Sequence, residues 1–76
     1  MTIIIPINRN LKELRKEMGL NQLRFAELLG ITRSALGSYE EQRAQPSLLV
    51  IAKAMEVCQI PAEDMYDFVF DENYLK

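Results

Sequence analysis

The stretch NQLRFAELLGITRSALGSYE, residues 21–40, sets two short apolar-patterned runs on either side of a single glycine, with almost no loop between them. Counted from Gln22, Ala26 is the fifth residue, Gly30 the ninth, Leu36 the fifteenth and Tyr39 the eighteenth. Each place has a packing reason. Two helices that cross steeply over a very short turn need a small side chain where they touch, which Ala26 supplies. The turn needs a positive φ, which Gly30 adopts without penalty. The second helix must then plug into the first, through Leu36 and Tyr39. Few folds accommodate such a tight helical elbow in a chain of 76 residues.

The rest of the chain reads as further helices around that elbow. Ile7, Leu11, Leu14 and Met18 recur at spacings of four, three and four, which is one face of a helix. Asn8 is its expected N-cap and Gly19 its expected left-handed stop. Asn21 caps the second helix, which carries Phe25, Leu28 and Leu29 inward, and Thr32 caps the third, which carries Ala35, Leu36 and Tyr39 inward. Pro46-Ser47 opens a fourth helix with one apolar stripe of Leu48, Ile51, Ala52, Met55 and Cys58. Leu49, Val50, Ala54 and Val57 lie largely opposite, so this helix calls for burial on two sides. Pro61 starts a short fifth helix, Ala62 to about Phe68, with Met65 and Phe68 inward. Thr2–Ile7 and Phe68–Phe70 are β-branched and aromatic, the composition of short terminal strands, and Pro6 would confine the first to an edge. The expected fold class is all-α, five helices with short β segments at either terminus as an option. The expected organisation is a single domain over 1–76, with its core in 8–68.

Bulk properties exclude several functions. There is no histidine, and therefore no imidazole base or zinc site of the usual kind. No nucleotide-binding loop is present, no metal or cofactor is expected, and an enzyme is not expected. The lone Cys58 forms no internal disulfide and fits a reducing, cytoplasmic setting. No run approaches the ~20 apolar residues of a membrane helix. Net charge is −2 but unevenly spread. Residues 8–47 hold seven basic and five acidic side chains, whereas residues 48–76 hold two and six. This split allows a mildly basic face with an acidic back.

The 22–39 spacing is that of a helix-turn-helix, which projects its second helix outward as a rigid probe suited to the major groove of B-DNA. The chain also resembles a known family, the phage-repressor and Cro-like (XRE-like) helix-turn-helix domains. The motifs that carry the resemblance are LKELRKEMGLNQ, FAELLGITRSAL, SYEEQRAQPS and IPAEDM, in order and without a gap from about Asn8 to Met65. The resemblance implies a compact lambda-repressor-like bundle of five helices that binds double-stranded operator DNA, usually as a homodimer, and regulates transcription.

It also implies roles for individual residues. Gln22 matches a family position that contacts a DNA phosphate, beside the capping Asn21; a solvated residue at a helix start is the plainer reading. Thr32 caps the recognition helix and is placed to touch backbone or a thymine methyl. Successive residues of that helix advance about 100°, so Arg33, Ser34, Gly37, Ser38 and Glu41 fall opposite the core. Arg33 is the best base reader, since a guanidinium bonds guanine O6 and N7 together, with a phosphate contact or plain solvation as alternatives. Ser34 and Ser38 match the family's other base-reading positions, and Arg43 a phosphate contact in the following loop. Arg15 and Glu40 match a pair that ties the first helix to the third. Three departures weaken the implied interface: Gly37 in mid-helix, Glu41-Gln42 in place of a basic-then-glycine turn, and Ala44-Gln45 in place of basic residues. A second reading therefore stays open, a protein-interaction module of the same fold, antitoxin-like or a co-regulator, whose partner is a protein. The terminal segments 1–7 and 69–76, packed near the fourth and fifth helices, are the expected dimerisation surface.

Overall fold

A computed structural model describes residues 6–74 of the protein. Five α-helices follow one another in the order α1 (Ile7–Glu17), α2 (Gln22–Leu29), α3 (Arg33–Glu40), α4 (Leu48–Cys58) and α5 (Met65–Phe70), with a single 3-10 turn (Ala62–Asp64) leading into α5. Among the described residues there is no strand.

Capping explains where the inner helices start and stop. Asn21 Oδ1 accepts from the Arg24 backbone N–H at 2.8 Å, Thr32 Oγ1 from that of Ala35 at 3.0 Å, and Ser47 Oγ from that of Val50 at 3.3 Å. Each satisfies one of the donors that a helix start leaves orphaned. Gly30 ends α2 at φ +73, and the Ile31 N–H returns to the Ala26 carbonyl at 3.0 Å. This left-handed closure turns the chain into α3 within two residues.

Every helix gives the core a side chain exposed by 1% or less: Leu11 from α1, Phe25 and Ala26 from α2, Leu36 from α3, Ala54 from α4 and Phe68 from α5. Ile7, Leu29, Val50, Ile51 and Met55 complete it.

Four expectations change. First, Asn8 does not cap α1. Pro6 holds that place, and Asn8 lies inside the helix, fully buried. Its Nδ2 donates to the carbonyls of Tyr39 at 2.6 Å and Ala44 at 2.8 Å, so it ties down the last turn of α3 and the loop after it instead. Second, the buried face of α4 is Val50, Ile51, Ala54 and Met55, while Leu48, Leu49 and Ala52 are exposed, Leu49 by 82%. Residues at i, i+1, i+4 and i+5 share a helical face as readily as those at i, i+3, i+4 and i+7, and an all-apolar helix does not reveal which faces inward. Third, the expected fifth helix divides into the 3-10 turn and α5, and Met65 is 42% exposed. Fourth, Phe68–Phe70 is helical rather than a strand. Phe68 stays in the core, and its carbonyl and that of Asp71 both accept from Asn10 Nδ2 at 2.8 Å. A β-rich composition is overridden by this capping from α1. Of the other proposed terminal strand, Thr2–Ile5 lies outside the described residues, and Ile7 begins α1.

Asn10→Ala removes both donors from the end of α5 and should destabilise the domain by about 2 kcal/mol, since carbonyls cut off from water lose their partners. Urea unfolding followed by circular dichroism measures this; an unchanged midpoint would mean that water satisfies these carbonyls.

Candidate nucleic-acid interface

The outward face of α3 is built from beneath. At its C-terminal end Glu40 is buried, its side chain 1% exposed. Arg15 of α1 approaches with two nitrogens, Nε to Oε2 at 2.7 Å and Nη2 to Oε1 at 3.0 Å, while Nη1 donates to the Leu20 carbonyl at 2.8 Å. This is the bidentate fork that suits a guanidinium to a carboxylate. Gln22, the first residue of α2, adds a third donor, Nε2 to Glu40 Oε1 at 3.1 Å. One carboxylate therefore joins three helices. Gln22 is half-buried, and its amide is aimed sideways at α3.

The other side of α3 is open. Arg33 and Ser34 are exposed, and Gly37 and Ser38 half-exposed. The side chains of Arg33, Ser34 and Ser38 make no hydrogen bond or ion pair among the described residues. A Cβ built on Gly37 meets nothing within 4 Å, so packing within the chain does not demand a glycine there. Leu36 is buried, Tyr39 half-buried, and Ala26 sits where α2 meets its neighbours, 1% exposed. Asn21 and Thr32 are exposed caps at the starts of α2 and α3.

Past α3, Gln42 takes a left-handed conformation, φ +63, and the Arg43 N–H donates to the Ser38 carbonyl at 2.9 Å. The chain folds back so that Arg43 Nη2 meets Glu41 Oε2 at 2.8 Å. Arg43 thus lies near the α3 face, but with an acid already on it. Sequence reasoning missed this pair, and it missed Asn8 and Asn10. The signal available for the asparagines was two amides in the first turn of a helix, next to core positions Ile7 and Leu11.

Elsewhere the chemistry is plain. Burial pushes the Cys58 thiol up, which makes it a poorer nucleophile, and its Sγ donates to Met18 Sδ at 3.3 Å. Among the described residues no three metal-ligating side chains cluster, and no helix is long and apolar enough to cross a membrane.

A family model described as helix-turn-helix matches residues 11–65. The chain belongs to the XRE-type helix-turn-helix family. That family is one of DNA-binding regulators rather than of enzymes. Among relatives of this XRE-type chain, an uncharacterized HTH-type transcriptional regulator of Methanothermobacter thermautotrophicus is 39% identical over 69 residues, covering 87% of this chain and 94% of that protein. A putative HTH-type transcriptional regulatory protein of Methanocaldococcus jannaschii is 38% identical over 66 residues, covering 83% of this chain but 21% of the relative. The regulator PuuR of Escherichia coli is matched over 31% of its length, so the chain spans only a fifth to a third of the first relatives it matches. The crystal structure of the restriction-modification controller protein C.AhdI from Aeromonas hydrophila superposes with a TM-score of 0.70 at 31% identity, covering 82% of this chain and 94% of that one.

Arg15→Met should cost this XRE-type domain about 3 kcal/mol, because Glu40 stays buried without its cation. The double variant Arg15→Met, Glu40→Met should regain most of the loss, since two apolar groups leave no charge stranded. Denaturant midpoints of the two single variants and the double give the coupling; strictly additive losses would show that the side chains do not act as a pair.

Proposed function

We propose that the protein is a sequence-specific DNA-binding transcriptional regulator that lays α3 in the major groove and acts as a homodimer. The observation that carries the reading is the contrast across α3. Its inner face is pinned by Leu36 and by the Glu40 carboxylate, and its outer face presents Arg33 and Ser34 uncommitted. A rigid helix with free polar ends is what direct readout requires. Arg33 reads a base, guanine by the fit of its fork. Ser34 and Ser38 assist directly or through water, and Gly37 lets the backbone come close. Asn21, Gln22, Thr32 and Arg43 serve the sugar-phosphate backbone. Gln22 does so with an amide already shared with Glu40, which makes its phosphate contact secondary to its positioning role.

Dimerisation is supported by apolar surface near the C-terminus. Tyr66 is 71% and Phe70 54% exposed, their rings 5.0 Å apart on α5. Covering that pair with a second copy, helped by segments 1–7 and 69–76, would set two α3 helices about 34 Å apart, one turn of DNA.

A second reading has its own observation. The Glu41–Arg43 pair leaves one cation fewer for phosphate, and the exposed acidic residues Asp67, Asp71 and Glu72, close in sequence to Tyr66 and Phe70, suit a basic protein partner, as in an antitoxin-like or co-regulator module.

Fluorescence anisotropy at two salt concentrations, with random duplex and with duplex selected from a random pool, separates the two. Binding should weaken as salt rises. Arg33→Ala should cost about 1–3 kcal/mol on the selected sequence. Failure to bind either duplex at low salt would favour the protein-partner reading. Light scattering at micromolar concentration should report twice the 8.8 kDa chain mass, and Phe70→Asp should lower it to one chain; a wild-type mass of one chain would remove the homodimer.

A further inference from the structure

Between Asn21 and Pro46 the chain has three arginines, Arg24, Arg33 and Arg43, and three glutamates, Glu27, Glu40 and Glu41. The fold divides them unevenly. Glu40 is buried and turned to Arg15 of α1, which takes it out of the local balance. Glu27 holds Arg24 one turn away on α2, Oε2 to Nη1 at 3.3 Å. Glu41 holds Arg43 at 2.8 Å. These four side chains are all more than half exposed. Arg33 has no acidic partner among the described residues. The exposed charge of the α2–α3 unit therefore reduces to one unbalanced guanidinium, at the first position of α3.

The Glu41–Arg43 contact is set by the backbone. The Glu41 N–H closes the last turn of α3 on the Gly37 carbonyl at 2.9 Å, Gln42 reverses the chain, and the Arg43 N–H returns to the Ser38 carbonyl. Residues 41 and 43 are brought side by side beside the reading face.

We infer that Glu41 is a specificity-determining residue that acts by occupying Arg43. The inference rests on the DNA-binding reading above. Phosphate contacts give affinity without regard to sequence, and base contacts give discrimination. A phosphate that takes the Nη2 donor of Arg43 must displace a carboxylate, which then stands unpaired close to the DNA backbone. On random DNA nothing offsets that cost. On a matched site, where the base contact of Arg33 fixes the register, the displaced Glu41 carboxylate can accept from a cytosine N4, which returns part of it. Glu41 thus lowers affinity for all DNA but lowers it most where the sequence is wrong, which raises the ratio on which selectivity depends.

The test uses the full chain, anisotropy, and random and selected duplexes between about 50 and 200 mM salt. Glu41→Gln should tighten binding to random duplex about threefold at the lower salt and steepen the log–log salt slope by about 0.9, the value for one added phosphate contact. The selected duplex should gain less. The gain should vanish when Glu41→Gln is made on Arg43→Ala, because no cation is left to release. Melting curves check that these exposed variants fold. Wild-type binding with affinity and slope unchanged by Glu41→Gln overturns the inference. So does a gain that persists without Arg43, which would make Glu41 a mere repeller of phosphate. A wild-type chain that binds neither duplex at the lower salt instead sinks the DNA-binding reading, and this inference with it.

Discussion

The Glu40 carboxylate, held out of water by three donors, is the constraint on which the arrangement of the first three helices depends. Two come from Arg15 of α1 and one from Gln22 of α2. A buried ion pair adds little net stability once desolvation is counted, but it is intolerant of wrong geometry, because any rotation of α3 would strand a charge. A helix of eight residues has little stability of its own. The direction in which α3 points is thus decided by its neighbours, through Leu36 in the core and Glu40 at its end.

The same logic recurs along α1. Two buried asparagines, two residues apart, each donate twice to distant carbonyls, Asn8 to Tyr39 in the last turn of α3 and to Ala44 in the loop beyond it, Asn10 to Phe68 and Asp71 at the end of α5. A domain this small buries a limited fraction of its surface and has no disulfide. Its helix ends are tied down instead by side-chain amides from a central helix. Arg9 extends the series by donating to the Glu72 carbonyl at 2.9 Å.

How much of this could be read beforehand depends on the range of the interaction. The Ala26–Gly30–Leu36 elbow, the caps Asn21 and Thr32 and the start of α4 at Pro46-Ser47 are legible, because turns and caps are written within a few residues of one another. The inward side of α4 is not, because apolar residues surround that helix. Local rules make Asn8 a cap because it is an asparagine near a helix start, whereas its partners lie 31 and 36 residues away. Phe68–Phe70 has a composition that also allows a strand, while capping from α1 decides for helix. At the candidate interface, the order of exposed positions on α3 followed from helical periodicity alone. That Gln22 turns to Glu40, and Arg43 to Glu41, did not, since each rotamer is chosen by a partner that only the folded chain brings near.

The outward side chains of α3 bond to nothing in the rest of the described chain. Their replacement consequently has little effect on folding, whereas changes at Arg15, Leu36 or Glu40 do. Selection can therefore rewrite Arg33, Ser34 and Ser38 one at a time through viable intermediates. The same scaffold can diverge into paralogues with different outward faces on α3 while keeping a common thermal tolerance.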